Sequence, residues 1–218
     1  MGEIKGIIFD MDGVLVDSER VSYKFWTKAF EKYGYDYSME VHYNLLGRNT
    51  SSIRNVLGNI FGEELPLDDI YKYKTEEMLK YLEDIGVPAK TGVFEILEFL
   101  KSNGYKIALA TSTNRDKAIQ RLERAGISVQ FDAMICGDEV ENSKPNPEIF
   151  LKAAKKLNLN PKECMVIEDS PVGVEAGYQG GMKVINIPDM KEPDNEVIEK
   201  SYMICNSLLD VIDCLKNI

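Results

Sequence analysis

The feature that most constrains the fold is a regular alternation of short apolar runs and amphipathic segments after residue 87. Helix Val93–Asn103 ends at Gly104 and is followed by the apolar run Lys106–Ala110. The run has no polar alternation, which is typical of strands covered on both faces. This alternation favours an α/β fold with an open, mostly parallel sheet. The further predicted elements are helices Arg115–Ala125, Pro147–Leu157 and Val172–Gln179, and strands Ala133–Cys136, Cys164–Glu168 and Lys183–Ile187.

A block of helices separates the first strand from the rest of the sheet. The run Ile4–Phe9 predicts a buried strand, and from Ser18 to about Gly86 the apolar spacing becomes helical. We expect a discontinuous α/β core (residues 1–16 and 87–218) and a small all-helical domain (residues 17–86). Its later helices are predicted over Met39–Leu46, Thr50–Phe61 and Leu67–Asp84, and we expect Tyr23, Phe25, Trp26 and Phe30 to form its core.

Composition excludes several classes of function. The formal net charge is -10, which disfavours binding to nucleic acid or anionic membranes. No apolar run reaches the roughly 18 residues of a membrane span, and Met1–Lys5 does not resemble a signal peptide. The four cysteines show no metal-ligand or redox spacing, so we expect a cytoplasmic protein. The single histidine, His42, is expected at the surface or in packing, and carboxylates must therefore carry the chemistry.

Polar side chains follow four of the predicted strands, at the points where those strands end. Such sheets bind ligands at the carboxyl ends of their strands. Any one of these residues could be only a turn former or a helix cap, so the prediction rests on their coincidence. The residues are Asp10 and Asp12, Thr111 and Ser112, Lys144 in the loop after Cys136, and Glu168 with Asp169.

These residue types suit phosphoryl transfer, which needs a nucleophile, charge neutralisation and a proton shuttle. Asp10 is able to attack phosphorus, and Asp12, two residues along an extended chain, would lie on the same side as acid and base. Lys144, the Thr111 hydroxyl and the Ser112 backbone N–H would contact the phosphoryl oxygens. Several carboxylates would repel a phosphate dianion unless a hard cation intervened, and Mg²⁺ fits that need.

The segment Asp10-Met11-Asp12-Gly13-Val14 resembles the first motif of the haloacid dehalogenase superfamily. Thr111, Lys144 and Glu168-Asp169 resemble its second, third and fourth motifs. Their order is similar to that of the β-phosphoglucomutase-like subgroup, which implies a Rossmann-like core with a helical cap inserted after the first motif. The resemblance also implies that Asp10, the backbone carbonyl of Asp12, and Asp169 bind Mg²⁺, and that Glu168 either binds it directly or acts as a base that reaches it through water.

The same resemblance narrows the chemistry. Dehalogenases of the superfamily lack a second aspartate at the place of Asp12, so phosphate esters are favoured, and the transporting ATPases need membrane spans. We expect a phosphatase that hydrolyses a small phosphate monoester, such as a sugar phosphate, and acts as a monomer whose cap moves freely. A phosphoacceptor switch of the response-regulator type is disfavoured, because such proteins have no helical insertion of this length.

The alternative is a β-phosphoglucomutase, which passes the phosphoryl group to a sugar instead of water. Those mutases carry a histidine where this chain has Ser22, and an arginine where we would expect Thr50 to align. Both departures weaken the mutase hypothesis without excluding it. The candidate substrate contacts in the helical block are Ser18, Ser22, Gly47, Arg48, Asn49 and Lys74.

Overall fold

A computed structural model describes residues 3–46, 48, 50–127 and 131–217. Six parallel strands form one sheet in the order β3-β2-β1-β4-β5-β6. The first strand is therefore central, and the α/β fold with a parallel sheet is confirmed. The strands are β1 (Gly6–Phe9), β2 (Lys106–Thr111), β3 (Ala133–Cys136), β4 (Cys164–Glu168), β5 (Lys183–Asn186) and β6 (Met203–Ile204).

Helices cover both faces of the sheet, because successive strand residues point to opposite sides. On one face, Ile7 and Phe9 of β1 belong to the same buried cluster as residues of α5, α6 and α10. On the other face, Ile8 packs with residues of α7, α8 and α9. The helices are α5 (Val93–Ser102), α6 (Arg115–Arg124), α7 (Glu148–Lys156), α8 (Pro171–Gln179), α9 (Asn195–Lys200) and α10 (Leu208–Leu215).

Within the part of the chain that the structure describes, four helices come between β1 and β2 before α5 and have a buried cluster of their own. Trp26, Phe30, Leu57 and Ile70 form its centre, as expected for the first two. Phe25 differs, because it packs with the larger cluster that includes the sheet. The helices are α1 (Ser18–Lys32), α2 (Met39–Tyr43), α3 (Thr50–Phe61) and α4 (Leu67–Ile85). The division into two domains at residues 16 and 87 stays a prediction.

Two further features concern the single histidine, for which packing was one of the two expectations, and the cysteines. His42 is buried, only 1% exposed, and its Nδ1 lies 2.8 Å from the Tyr37 hydroxyl, so it packs within the helical block. Cys205 and Cys214 are a pair in space, with their Sγ atoms 3.7 Å apart, because α10 folds back beside β6. None of the helices in the described residues is both long and apolar enough to cross a membrane.

Candidate active site

Asp10 lies immediately after the central strand β1 and is only 6% exposed. Its backbone N–H donates to the Ile167 carbonyl at 3.0 Å, which continues the ladder between β1 and β4. Its side chain accepts a hydrogen bond from Lys144 Nζ at 2.5 Å. Parallel pairing of the central strands thus holds this carboxylate at the carboxyl edge of the sheet, where the sequence predicted it.

Lys144 joins two of the predicted carboxylates. Besides Asp10, its ammonium donates to Glu168 Oε1 at 2.7 Å and to the Ala110 carbonyl at 3.3 Å. Burial by itself would lower the pKa of Lys144, but the two carboxylates raise it above its ordinary value. The lysine is therefore a permanent cation, 8% exposed, beside the end of β1.

The Glu168 side chain is held by the start of α8. Its Oε2 accepts hydrogen bonds from the Ser170 backbone N–H at 2.7 Å and from Ser170 Oγ at 3.0 Å. Ser170 also caps α8, accepting from the Gly173 N–H, and Pro171 is the first helical residue. One serine therefore both begins the helix and orients the carboxylate.

Three carboxylates converge beside Lys144. Oxygen atoms of Asp10, Glu168 and Asp169 all lie within 4.8 Å of one another. Burial raises the pKa of Asp10 to about 7, and burial together with Glu168 and Asp10 raises the pKa of Asp169 well above its ordinary value. One ammonium does not neutralise three carboxylates, and an all-oxygen donor set suits a hard divalent cation. These residues therefore fit a metal site.

Asp12 is clamped by three donors. Its Oδ1 accepts from Ser18 Oγ and from the Arg121 guanidinium, each at 2.5 Å, and its Oδ2 accepts from Thr113 Oγ1 at 2.8 Å. Burial raises the pKa of Asp12, but the Arg121 charge and these hydrogen bonds outweigh it and lower the pKa overall. The side chain is thus an ordered anion at the cavity wall.

Thr111 and Ser112 lie at the end of β2, as predicted. Thr111 is 1% exposed, and its hydroxyl oxygen accepts from the Thr113 N–H at 3.1 Å. Both residues line the same cavity as Asp10 and Lys144. All of the core residues proposed from the sequence are therefore brought to one edge of the sheet.

A cavity of about 610 Å³ lies between this edge and the helical block. Ser18, Ser22, Arg48 and Lys74 line it, whereas the predicted contacts Gly47 and Asn49 lie outside the described residues. Arg48 is held by the Asn44 carbonyl at 2.8 Å and by Ser52 Oγ at 3.2 Å. Burial and the neighbouring Arg121 lower the pKa of Lys74 to about 8.

Three residues of the site were not anticipated from the sequence: Thr113, Arg121 and Glu19. Glu19 lines the cavity, and burial raises its pKa to about 7. Glu19 lies three residues before the predicted contact Ser22 and therefore on the same face of α1, so this spacing could have identified it. Arg121 has no such signal, because 109 residues separate it from Asp12 along the chain.

Known proteins are similar to this chain in sequence and in architecture. A family model described as haloacid dehalogenase-like hydrolase matches residues 7–187. A phosphorylated carbohydrates phosphatase of Thermotoga maritima is 36% identical over 182 residues, which is 84% of each chain. A fructose-1-phosphate phosphatase of Escherichia coli is 29% identical over 184 residues, covering 84% of this chain and 95% of that protein.

A solved structure is similar to this chain in its fold as well as in its sequence. The crystal structure of a putative β-phosphoglucomutase from Thermotoga maritima superposes with a TM-score of 0.79 at 31% identity. The match covers 99% of this chain and 100% of that one, so it includes the helical block as well as the sheet. On the sequence motifs, the fold and these matches together, the chain belongs to the haloacid dehalogenase-like hydrolase family.

Proposed function

We propose that this phosphoric monoester hydrolase is a magnesium-dependent phosphatase of small phosphorylated metabolites, sugar phosphates in particular, and that it acts through a phospho-aspartate on Asp10. The observation that carries the proposal is the pairing of a buried carboxylate with Lys144, beside further carboxylates and facing a cavity of about 610 Å³. The phosphatases among the relatives support the same class of substrate.

In the proposed first step, an Asp10 oxygen attacks the phosphorus of the substrate while the bond to the ester oxygen breaks. Lys144 neutralises charge on the transferring group, and Thr111 and Ser112 donate hydrogen bonds to its oxygens. Asp12 takes up a proton from solvent, delivers it to the departing oxygen and is again a carboxylate. Water then attacks phospho-Asp10, which releases inorganic phosphate and restores the carboxylate.

Asp10, the backbone carbonyl of Asp12, Asp169 and Glu168 would hold the cation. When bound, Mg²⁺ supplies the positive charge that lets a phosphate dianion approach these carboxylates. The helical block covers the cavity in this proposal and excludes bulk water during transfer. Ser18, Ser22, Arg48 and Lys74 would contact the part of the substrate that does not react.

Asp10→Asn tests the nucleophile. Asparagine keeps the size of the side chain but cannot form the acyl phosphate, so we expect hydrolysis of p-nitrophenyl phosphate with Mg²⁺ to fall at least about a thousandfold. Asp116→Asn is the matched control, because Asp116 is exposed and lies outside the cavity. Circular dichroism of both variants checks the fold. Unchanged hydrolysis by Asp10→Asn, or full wild-type activity in EDTA, would contradict the proposal.

A mutase is the second candidate, favoured by the similarity to the putative β-phosphoglucomutase structure. Both activities begin with phosphorylation of Asp10 and differ in whether water or a sugar hydroxyl accepts the phosphoryl group. Incubation with β-glucose 1-phosphate and a bisphosphate primer separates them. Release of inorganic phosphate faster than formation of glucose 6-phosphate supports the phosphatase, and the reverse order supports the mutase.

A further inference from the structure

The contact between Arg121 and Asp12 belongs to neither the metal cluster nor the predicted phosphate contacts. Arg121 lies in the last turn of α6, on the core side of the cavity, and is 23% exposed. Its NH1 is 2.5 Å from Asp12 Oδ1 and 3.4 Å from Thr113 Oγ1. Among the described cations that line the cavity, it is the one that makes an ion pair with Asp12.

The three donors leave Asp12 with little freedom. A carboxylate has about four lone-pair sites. On Oδ1, Ser18 and Arg121 occupy two, and on Oδ2 Thr113 occupies one. One site on Oδ2 remains to accept a further proton donor. Because the donors come from α1, from the loop after β2 and from α6, they restrain both the position and the rotation of the carboxylate.

We propose that Arg121 is a positioning residue that aims Asp12 at the attacking water during hydrolysis of phospho-Asp10. This inference rests on the proposed function. In that step the free Oδ2 site takes a proton from water, the water oxygen forms a bond to phosphorus, and the bond between phosphorus and the Asp10 oxygen breaks. Inorganic phosphate leaves, Asp10 is again a carboxylate, and Asp12 carries the proton.

Phosphorylation of Asp10 and hydrolysis of phospho-Asp10 should respond differently to the loss of Arg121. With p-nitrophenyl phosphate, the nitrophenolate departs without needing a proton, so phosphorylation of Asp10 does not depend on Asp12. The ratio kcat/KM reports steps up to that departure, whereas kcat also includes hydrolysis of the phosphoenzyme. If loss of Arg121 leaves Asp12 poorly positioned as a base, kcat and KM should therefore fall together, and kcat/KM should stay unchanged.

Arg121→Met removes the guanidinium and keeps an unbranched apolar stem. We expect kcat for p-nitrophenyl phosphate to fall on the order of tenfold, with kcat/KM within about twofold of wild type. Acid-quenched enzyme should carry one phosphoryl group, detected by intact mass. Arg121→Lys, which keeps a cation, should recover part of kcat. Arg54→Met is the matched control, because Arg54 also forms an ion pair with an aspartate, Asp68, but lies outside the cavity.

A double-mutant cycle tests whether Arg121 acts through Asp12. In an Asp12→Asn background, Arg121→Met should change kcat by less than about twofold, because the group it aims is already gone. An equal fall of kcat and kcat/KM, no accumulation of phosphoenzyme, or the same effect in Arg54→Met would overturn the inference while the proposed function stands. A wild-type enzyme that hydrolyses no phosphate ester would overturn both.

Discussion

At the scale of single residues, two glycines decide where the carboxylates lie. Gly13 has a φ of 91°, and a Cβ there would come within 2.2 Å of Asp169 Oδ2. A Cβ on Gly173 would lie 1.7 Å from Glu168 Oε1. Both positions exclude side chains because a carboxylate occupies the space.

Gly173→Ala should therefore disturb the proposed metal site while α8 persists. The added methyl group must displace the Glu168 carboxylate from its place beside Lys144 and Ser170. We expect the Mg²⁺ concentration for half-maximal phosphatase activity to rise on the order of tenfold, as for other changes that reorient metal-binding carboxylates. A magnesium titration of activity measures it.

Gly58→Ala is the matched control for that substitution. Gly58 also lies inside a helix, but nothing lies within 4 Å of a Cβ there. It should leave the magnesium requirement unchanged and stabilise the protein by roughly 0.5–1 kcal/mol. An unchanged magnesium requirement in Gly173→Ala would show that Glu168 does not contribute to cation binding.

At the scale of elements, the sequence located the strands and helices up to residue 187 and no element beyond it. The later elements are a six-residue helix, a two-residue strand and α10. The helix α9 and the strand β6 contain too few residues for a periodic pattern, whereas α10 buries Leu208, Val211 and Leu215 at helical spacing and was open to prediction. Tertiary packing stabilises these last elements. For example, Leu208 and Val211 of α10 belong to the buried cluster that contains α5 and the sheet.

Leu208→Ala tests how much α10 contributes to stability. Leu208 is 1% exposed, so its truncation leaves a cavity and should lower the free energy of unfolding by about 2–5 kcal/mol. The neighbouring Leu209 is 40% exposed, and Leu209→Ala should cost less than about 1 kcal/mol. Urea unfolding followed by circular dichroism measures both. Equal losses would mean that the burial of α10 contributes nothing specific.

At the scale of the whole molecule, the buried His42 links stability to pH. Burial and the neighbouring Lys74 lower the pKa of His42 to about 4, whereas the unfolded chain has the ordinary value near 6.5. Between these values the unfolded state binds more protons, so stability rises with pH. The contribution is complete above about pH 6.5 and is lost as the pH falls towards 4.

We expect the titration of His42 alone to lower the free energy of unfolding by about 2 kcal/mol when the pH falls from 7 to 5. Because the chain has one histidine, its titration can be followed by NMR as a single imidazole signal. His42→Phe removes the titrating group, so the drop in Tm from pH 7 to pH 5 should be smaller in that variant. A His42 pKa near 6.5, or equal drops in both proteins, would refute the linkage.

Much of the candidate site was predictable because its residues follow strands that the sequence itself reveals. Continuous apolar runs identify parallel strands, and the carboxyl ends of parallel strands meet at one edge, so Asp10, Thr111, Lys144 and Glu168 were expected together. The helical block was predicted as an insertion that supplies substrate contacts, and Ser18, Ser22, Arg48 and Lys74 do line the cavity, but Glu19 was not predicted. Side chains on helices of that kind reach a site only through tertiary packing.

The class of fold, the order of its elements and the acidic and basic groups at the strand ends all follow from the sequence, because each depends on local periodicity and on parallel pairing. The orientation of those side chains depends instead on the tertiary structure. The clamp of Ser18, Thr113 and Arg121 on Asp12 joins segments up to 109 residues apart. No local pattern encodes such a contact, since it forms only when α1 and α6 pack against the edge of the sheet.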